Sequence, residues 1–475
     1  MSDIVPRRRI LALAALVCAS LAACDDRATP PLAAPASATT SRAAAVSSAG
    51  NTASATGQPA PTAKAHRPDR PLNVILMFID AMRADMPWQG YERPIAPHLT
   101  KLAEHSVVYP RAYAVSSYTA KSLGAVLSGR YPSTLYRGPT FFTAYSKANL
   151  FFPELLQDKG VRTMSLQAHG YFDRGKNLRQ GVDVFEIVPG LKWNAETDEN
   201  VTGPKMTEMA IDLLGDPKNT GGPFFLWLHY MDPHDKYVVH EGVPRFGRRA
   251  RDLYDGEIYF TDLQVRKLLD FCEQQPWWKN TVLIIMGDHG EAFGEHGQWK
   301  HAFALWEVLT RVPLIIHGPG MEPRRIEARR SHIDLAPTIV DLMGHPPHPG
   351  FVAKSLVPEL YGAEPDDREP ILLDLPADSY NPPTRAIIKG DYKLLEDPGP
   401  RFKLFNLAED PGERRNLAKV REHADKLAEL KELFEQAWSR HPYVAPYGGK
   451  KLVGGGKANG PKGPPGWIDP DQKKQ

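Results

Sequence analysis

The sequence predicts an α/β fold, in which a central, largely parallel sheet is covered by helices and is followed by a small C-terminal antiparallel sheet. Short apolar runs alternate with helical patterns along the chain, as in sheets with helices on their faces. Several of these runs are continuously apolar, as strands buried on both faces require. Two further runs near the C-terminus have the pattern of a hairpin, which is expected to form a smaller second lobe.

The short apolar runs are interpreted as strands and the longer periodic segments as helices. Predicted strands cover residues 73–79, 161–167, 224–230, 281–286 and 312–316. Predicted helices cover residues 97–105, 255–273 and 422–438. The hairpin is predicted from residues 385–395 and 401–406.

Composition indicates a globular protein without a nucleic-acid surface. The chain of 475 residues is 42% hydrophobic and 24% charged, which excludes collagen-like and wholly disordered classes. Lys and Arg number 58 against 56 Asp and Glu, so net charge predicts no nucleic-acid partner. The three cysteines are Cys18, Cys24 and Cys272, of which only the last falls in the globular part, so no internal disulfide is expected.

The N-terminus has the pattern of an export signal. Three arginines at 7–9 precede an apolar run of about a dozen residues, which is too short to span a bilayer. The run ends at Leu-Ala-Ala-Cys, which resembles a bacterial lipobox. We predict removal of residues 1–23 and lipid attachment to Cys24, giving an exported lipoprotein that faces the periplasm or is anchored to a cell-envelope membrane. The alternative is an ordinary signal peptidase site, which also predicts export.

Changes in composition divide the rest of the chain. Residues 24–70 are mainly Ala, Ser, Thr, Pro and Gly, which predicts a disordered tether behind the lipid. Globular composition follows, and we divide it into a main domain at 71–370 and a C-terminal subdomain at 371–445. Gly, Pro and Lys dominate residues 446–475, which we predict to be a disordered tail.

Polar side chains follow the predicted strands at the point where each strand ends. Asp80 comes directly after 73–79, and Asp288 and His289 follow 281–286. Open α/β sheets place ligands at the carboxyl ends of their strands, and carboxylates and imidazole are good ligands for divalent cations. Each residue alone is more often a helix cap or a satisfied core residue. The set predicts a metal site.

Seven segments occur in the order typical of one enzyme family. They are residues 73–85, 97–103, 127–132, 287–297, 310–316, 334–338 and 392–394 with 404–407. On these segments, which extend over nearly all of residues 72–420, the chain resembles the sulfatase family of the alkaline phosphatase superfamily. The resemblance implies an alkaline phosphatase/sulfatase-like fold and a metal-dependent hydrolase of ester bonds.

The nucleophile segment departs from the sulfatase pattern. Sulfatases convert a Cys or Ser to formylglycine in a Cys/Ser-x-Pro-x-Arg motif that ends at Thr/Ser-Gly-Arg. The family spacing puts Thr119 at the nucleophile position, whereas Lys121 replaces the Pro and Leu123 replaces the Arg. A threonine here is similar to the phosphodiesterases, nucleotide pyrophosphatases and phosphoethanolamine transferases of the superfamily. We therefore predict cleavage of a phosphate mono- or diester through a covalent intermediate on Thr119.

The resemblance also implies the metal ligands. They are Asp80, Thr119, Asp288 and His289, around one divalent ion. The nitrogen ligand favours zinc or manganese, with calcium or magnesium as alternatives. Coordination would lower the pKa of the threonine hydroxyl and so supply a nucleophile. A second ion, bound by Asp232, His234 and His301, is the less favoured alternative.

Further residues are expected to contact the substrate. The resemblance implies His234 and His301 as catalytic contacts to the ester, one of them able to protonate the leaving group. Lys121 and Lys300 are candidate clamps for the anionic group, although a solvated surface role for Lys121 is an equal alternative. His229, five residues before His234, is an alternative site histidine.

Three other functions remain open from the sequence. The first is a sulfatase that uses Thr119 or Ser117 without formylglycine. The second is transfer of a phospho-group to an envelope acceptor, although membrane transferases of this type carry several spanning helices. The third is a binding lipoprotein without activity. The expected partner is a small or envelope-derived phosphate or sulfate ester.

Overall fold

The computed structural model describes residues 66–192, 198–398 and 401–447. The predicted signal peptide, Cys24 and nearly all of the tether and tail lie outside these ranges. Within the described ranges, no helix is both long and apolar enough to cross a membrane. Cys272 is described and is a buried free thiol.

The described residues form fifteen strands and ten α-helices. The strands are β1 (Asn73–Ile79), β2 (Val107–Tyr113), β3 (Arg162–Gln167), β4 (Val184–Ile187), β5 (Phe224–Tyr230), β6 (Thr281–Gly287), β7 (Ala292–Phe293), β8 (Trp299–Lys300), β9 (Arg311–His317), β10 (Arg324–Arg325), β11 (Arg330–Ser331), β12 (Ile371–Leu375), β13 (Thr384–Lys389), β14 (Tyr392–Asp397) and β15 (Arg401–Asn406). The helices are α1 (Pro97–Ala103), α2 (Thr119–Ser128), α3 (Phe152–Gln157), α4 (Gly203–Gly215), α5 (Pro217–Thr220), α6 (Ala250–Glu273), α7 (Glu307–Thr310), α8 (Leu335–Leu342), α9 (Val357–Leu360) and α10 (Ala424–Ser439).

The central sheet is mixed, with parallel pairing at its centre. Its strand order is β10-β2-β9-β6-β1-β5-β3-β4, and β11 also pairs with β2. β1 lies between β5 and β6 and runs parallel to both. β9 runs antiparallel to β6 and β2, which makes the sheet mixed at this side. The predicted sheet with helices on its faces is therefore confirmed, with one strand reversed.

Both faces of the central sheet are covered, as the continuously apolar strands require. The even-numbered side chains of β1, such as Leu76, pack in one core cluster with α2 and α8 residues such as Leu123 and Ile339. The odd-numbered ones, such as Met77, pack in a second cluster with α6 residues such as Val265. Successive strand residues point to opposite faces, so all seven β1 residues are buried.

The C-terminal sheet is antiparallel, with strand order β12-β13-β14-β15. Its apolar face packs on α10, where Phe434 and Trp438 share a cluster with Ile387 and Leu394. The predicted strand at 385–395 is in fact two strands. Gly390 has a positive φ of 54° and lies in the two-residue turn that joins them, because Lys389 pairs with Tyr392 across it.

Candidate active site

The carboxyl ends of β1 and β6 place two aspartates side by side. Ile79 is in register with Gly287, so Asp80 and Asp288 leave neighbouring strands at the same level. The N–H groups of Ala81 and His289 donate to Asp288 Oδ1 at 3.1 and 2.9 Å, which fixes that carboxylate. A side chain at Gly287 would stand 2.5 Å from the carbonyl oxygen of Met82, so this close approach requires glycine.

Asp80, Asp288 and His289 form a buried triad that can hold a metal ion. One ligand atom from each lies within 4.8 Å of the other two. His289 Nδ1 lies 2.9 Å from the carbonyl oxygen of Gly290, which favours the tautomer that leaves Nε2 available as a ligand. Asp80 Oδ1 and Asp288 Oδ2 are buried and have no hydrogen-bond partner among the described residues. Two orphaned carboxylate oxygens beside an imidazole fit a divalent cation.

The charges of the triad lead to the same conclusion. Burial raises the pKa of Asp288 to about 7, and the negative charge of Asp80 adds to the shift. Burial also raises the pKa of Asp80, but three histidines oppose this effect. Contact with His229 and the nearby rings of His234 and His289 together hold the Asp80 pKa well below the usual value. Two carboxylates that oppose each other's ionisation in a buried site are stabilised together by a cation between them.

Thr119 is the first residue of α2 and contacts the triad. Its hydroxyl donates to Asp80 Oδ2 at 3.0 Å, and its Oγ1 lies 3.3 Å from His289 Nε2. The structure thus brings the predicted nucleophile and the three predicted side-chain ligands together. The N-terminus of α2 adds positive partial charge at the point where an anionic ester would lie.

His234 and His301 lie beside the triad, as the prediction requires. Their ring centroids are 5.1 Å apart, and the His301 ring is 4.3 Å from that of His289. Burial lowers the pKa of His234, but the negative charge of Asp80, the Asp235 carbonyl oxygen and further carboxylates together outweigh burial and raise this pKa above the usual value. His301 Nδ1 lies 3.2 Å from the carboxylate of Glu291, which orients its ring.

Lys121 does not lie where the prediction needs it. It is fully buried, its ammonium contacts Thr143 and lies 3.8 Å from Asp378 Oδ2, and it does not line the cavity that Thr119 faces. Burial lowers its pKa to about 7. The reason is helix geometry, because residues two apart point about 200° apart around the axis. Lys121 therefore points into the core when Thr119 points to the triad.

His229 and Lys300 have different environments. His229 is fully buried, with Nε2 3.4 Å from Asp80 Oδ2 and 3.7 Å from Asp288 Oδ2, so it contacts the triad and does not line the cavity. Lys300 lines the cavity, and its ammonium lies 2.7 Å from Asp235 Oδ2. The structure argues against the alternative site for a second ion. The Asp232 carboxylate accepts hydrogen bonds from the N–H groups of Thr202 and Gly203 at the start of α4.

The sequence analysis missed His169 and Glu291. His169 follows β3, lines the cavity and has its ring 6.0 Å from that of His234. Burial lowers its pKa to about 3, so the ring is neutral near neutral pH. Its position just after a predicted strand was a usable signal, the same one that identified Asp80. Glu291 contacts His301 and accepts a hydrogen bond from Tyr237 Oη at 2.9 Å.

Comparison with known proteins agrees with this geometry. The family model described as Sulfatase matches residues 72–345, which is more than half of the chain. The chain belongs to the sulfatase family. A second model, described as N-sulphoglucosamine sulphohydrolase, C-terminal, matches residues 294–440. The resemblance inferred from the sequence segments is thereby confirmed, and membership of the sulfatase family supports a hydrolase that acts on esters.

Individual relatives are distant. Iduronate 2-sulfatase of Homo sapiens is 24% identical over 330 residues, covering 52% of this chain and 60% of that protein. The choline-sulfatase of Rhizobium meliloti is 34% identical over 176 residues, 35% of this chain and 34% of that protein. The phosphonate monoester hydrolase of Agrobacterium radiobacter has a TM-score of 0.66 at 17% identity, covering 78% of this chain and 96% of that one. The last similarity shows the fold.

Proposed function

We propose that this protein hydrolyses a phosphate mono- or diester with a divalent metal ion, using Thr119 as the nucleophile. The proposal depends on the position of the Thr119 hydroxyl, whose oxygen lies 3.0 Å from Asp80 Oδ2 and 3.3 Å from His289 Nε2. Lys121 and Leu123 replace the Pro and Arg of the formylglycine motif. A threonine therefore has to act through its own oxygen, as phosphoryl transfer allows.

Asp80, Thr119, Asp288 and His289 are the proposed ligands of one ion. Zinc or manganese is proposed over calcium or magnesium because an imidazole nitrogen is among the ligands. When bound, the ion supplies positive charge for the non-bridging oxygens and lowers the pKa of the coordinated hydroxyl. We also propose that the protein is exported and attached to a membrane through lipid on Cys24.

The chain's own residues supply the proton transfers. The Thr119 hydroxyl, with its pKa lowered, gives its proton to water, and its oxygen forms a bond to phosphorus as the bond to the leaving oxygen breaks. His234 donates a proton to the leaving alcohol, while His301, oriented by Glu291, contacts an ester oxygen. Water then attacks phosphorus and gives a proton to His234 as the bond between phosphorus and the Thr119 oxygen breaks and phosphate leaves.

Sulfate ester hydrolysis is the second candidate. Membership of the sulfatase family favours it, as do relatives named iduronate 2-sulfatase and choline-sulfatase. A threonine sulfate lacks the elimination route that a formylglycine hydrate provides, so we place this candidate second.

The test compares an aryl phosphate, an aryl phosphodiester and an aryl sulfate on one metal-loaded preparation. The proposal expects turnover of one of the phosphate esters and its loss in Thr119→Ala, with folding unchanged. Sulfate preferred by orders of magnitude would establish the second candidate. Full activity of Thr119→Ala would remove the nucleophile assignment.

A further inference from the structure

The cavity that Thr119, His234 and His301 face is much larger than an ester group. Its volume is about 710 Å³. Pockets of roughly 300–1,000 Å³ accommodate drug-sized organic ligands. The cavity therefore has room for the alcohol part of the substrate, and its remaining walls determine which alcohol fits.

One side of the cavity carries a group of aromatic rings, which we call the aromatic wall: Tyr118, Phe141, Phe303 and Tyr380. Tyr118 and Phe141 are stacked with centroids 4.6 Å apart and planes 6° apart. Phe141 and Phe303 are 6.3 Å apart at 21°, so three rings in a row are nearly parallel. Tyr380 meets Phe141 edge-on at 5.6 Å. Tyr118 directly precedes Thr119, so the wall begins beside the proposed nucleophile.

The aromatic wall is held in place by the protein and still exposes apolar surface. The Tyr118 hydroxyl donates to Asp378 Oδ2 at 2.6 Å, and the Phe141 N–H donates to Ser379 Oγ at 3.0 Å. Phe303 is nevertheless 56% exposed and Tyr380 67% exposed. Adjoining exposed aromatic rings beside a cavity mark a surface that a ligand covers.

Most of the exposed lining surface is apolar, and the polar side chains away from the ester include those of Thr140, His169 and Ser379. Among the described residues that line the cavity, none is Asp, Glu, Asn, Gln or Arg. The ammonium of Lys300 lies 2.7 Å from Asp235, and that of Lys176 donates to the carbonyl oxygen of Phe142 at 3.0 Å. A polyhydroxylated or polyanionic sugar needs a partner for each polar group that it buries. Because apolar surface predominates in this lining, a flat apolar ring matches it better than such a sugar does.

We propose that the substrate is the ester of an alcohol that carries an uncharged, flat ring, and that this ring stacks on the aromatic wall. The inference rests on the proposed function, since the ester group has to reach Thr119 while the ring lies against Phe303 and Tyr380. It assigns an aryl-type substrate class to the same site.

The first experiment compares benzyl phosphate, ethyl phosphate and glucose 6-phosphate on the metal-loaded full chain. All three are esters of primary alcohols, so differences in kcat/KM report the organic group more than the leaving-group chemistry. If the comparison of aryl phosphate, phosphodiester and sulfate shows that the enzyme prefers the diester or the sulfate, the same three alcohols are tested as esters of that acid. We expect benzyl phosphate to be the best substrate. Phe303→Ala and Tyr380→Ala should each raise its KM roughly 3- to 10-fold.

The controls separate a subsite from a general defect. Turnover of ethyl phosphate should change in neither variant, because it has no ring to stack on Phe303 or Tyr380. Tyr443→Ala removes a partly exposed tyrosine that does not line the cavity and should leave all substrates unchanged. Glucose 6-phosphate matching or exceeding benzyl phosphate would overturn the proposal, as would equal losses on every substrate.

A binding measurement keeps the two proposals distinct. Titration calorimetry compares benzylphosphonate with ethylphosphonate on the metal-loaded protein and on Phe303→Ala. We expect tighter binding of benzylphosphonate that is lost in the variant, whether or not any ester is turned over. If benzylphosphonate binds more tightly but no ester is turned over, the proposed function is refuted and the aryl subsite is supported. Equal binding of both phosphonates would remove the subsite.

Discussion

Replacing Lys393 by methionine should destabilise the protein by about 3–5 kcal/mol, because the change leaves two buried carboxylates without their cation. The Lys393 ammonium is fully buried, 3.1 Å from Glu307 Oε1 and 2.9 Å from Glu413 Oε1. The contact joins β14 of the C-terminal sheet to α7, beside the central sheet. Methionine fills a similar volume, so the loss reports charge more than packing.

The deficit should grow with pH. Burial raises the pKa of Glu413 to about 7 from the ordinary 4.5, although Lys393 opposes the shift. A raised folded-state pKa means that the folded state binds the proton more tightly, so stability falls as pH rises from about 4.5 to 7. Without Lys393 the shift is larger. Lys393→Met should therefore be closer to wild type at pH 5 than at pH 8.

Urea unfolding at the two pH values measures this prediction. The matched control is Lys403→Met, which removes a partly exposed ammonium 2.6 Å from Asp397 on the neighbouring strand. It should cost about 1 kcal/mol or less, as exposed ion pairs do. A deficit for Lys393→Met no larger than that of the control, or one that is the same at both pH values, would refute the reasoning.

Two further predictions concern the site. Dialysis against a chelator should abolish activity, zinc or manganese should restore it, and Asp288→Asn should lower the bound metal measured by elemental analysis; stoichiometric metal in Asp288→Asn would contradict the ligand set. Glu291→Gln should lower kcat about 10- to 100-fold while metal content stays unchanged, because His301 loses the carboxylate that orients it. An unchanged kcat would show that Glu291 does not position His301.

The strands that position the site were predictable from local sequence, whereas others were not. β1, β5 and β6 are continuous apolar runs, and their predicted bounds agree with the structure to within one residue. β2 was missed because Pro110 and Arg111 interrupt its apolar run, and its register with β9 shifts at that point. β4 was missed because it is a short edge strand whose residues are only partly buried.

The same contrast holds within the site. Asp80, Asp288 and His289 follow strands that pair directly, so the ends of those strands predicted their meeting. The predicted role of Lys121 was wrong because Thr119 and Lys121 are two residues apart on α2 and therefore point in nearly opposite directions. A comparison of sequence motifs does not show on which side of a helix a residue lies.

The aromatic wall was beyond prediction from local pattern. Tyr118, Phe141, Phe303 and Tyr380 come from segments far apart in the chain, with no shared periodicity. Only the tertiary fold brings their rings together.

The central claim is that Thr119 carries the group that is transferred. The direct measurement is acid quenching of the metal-loaded enzyme during turnover of an aryl phosphate, followed by mass spectrometry of the tryptic peptide that spans residues 112–121. The account predicts a phosphoryl group on Thr119, identified by fragmentation and absent from Thr119→Ala. Turnover with the label on another residue, or with no covalent label at all, would contradict it.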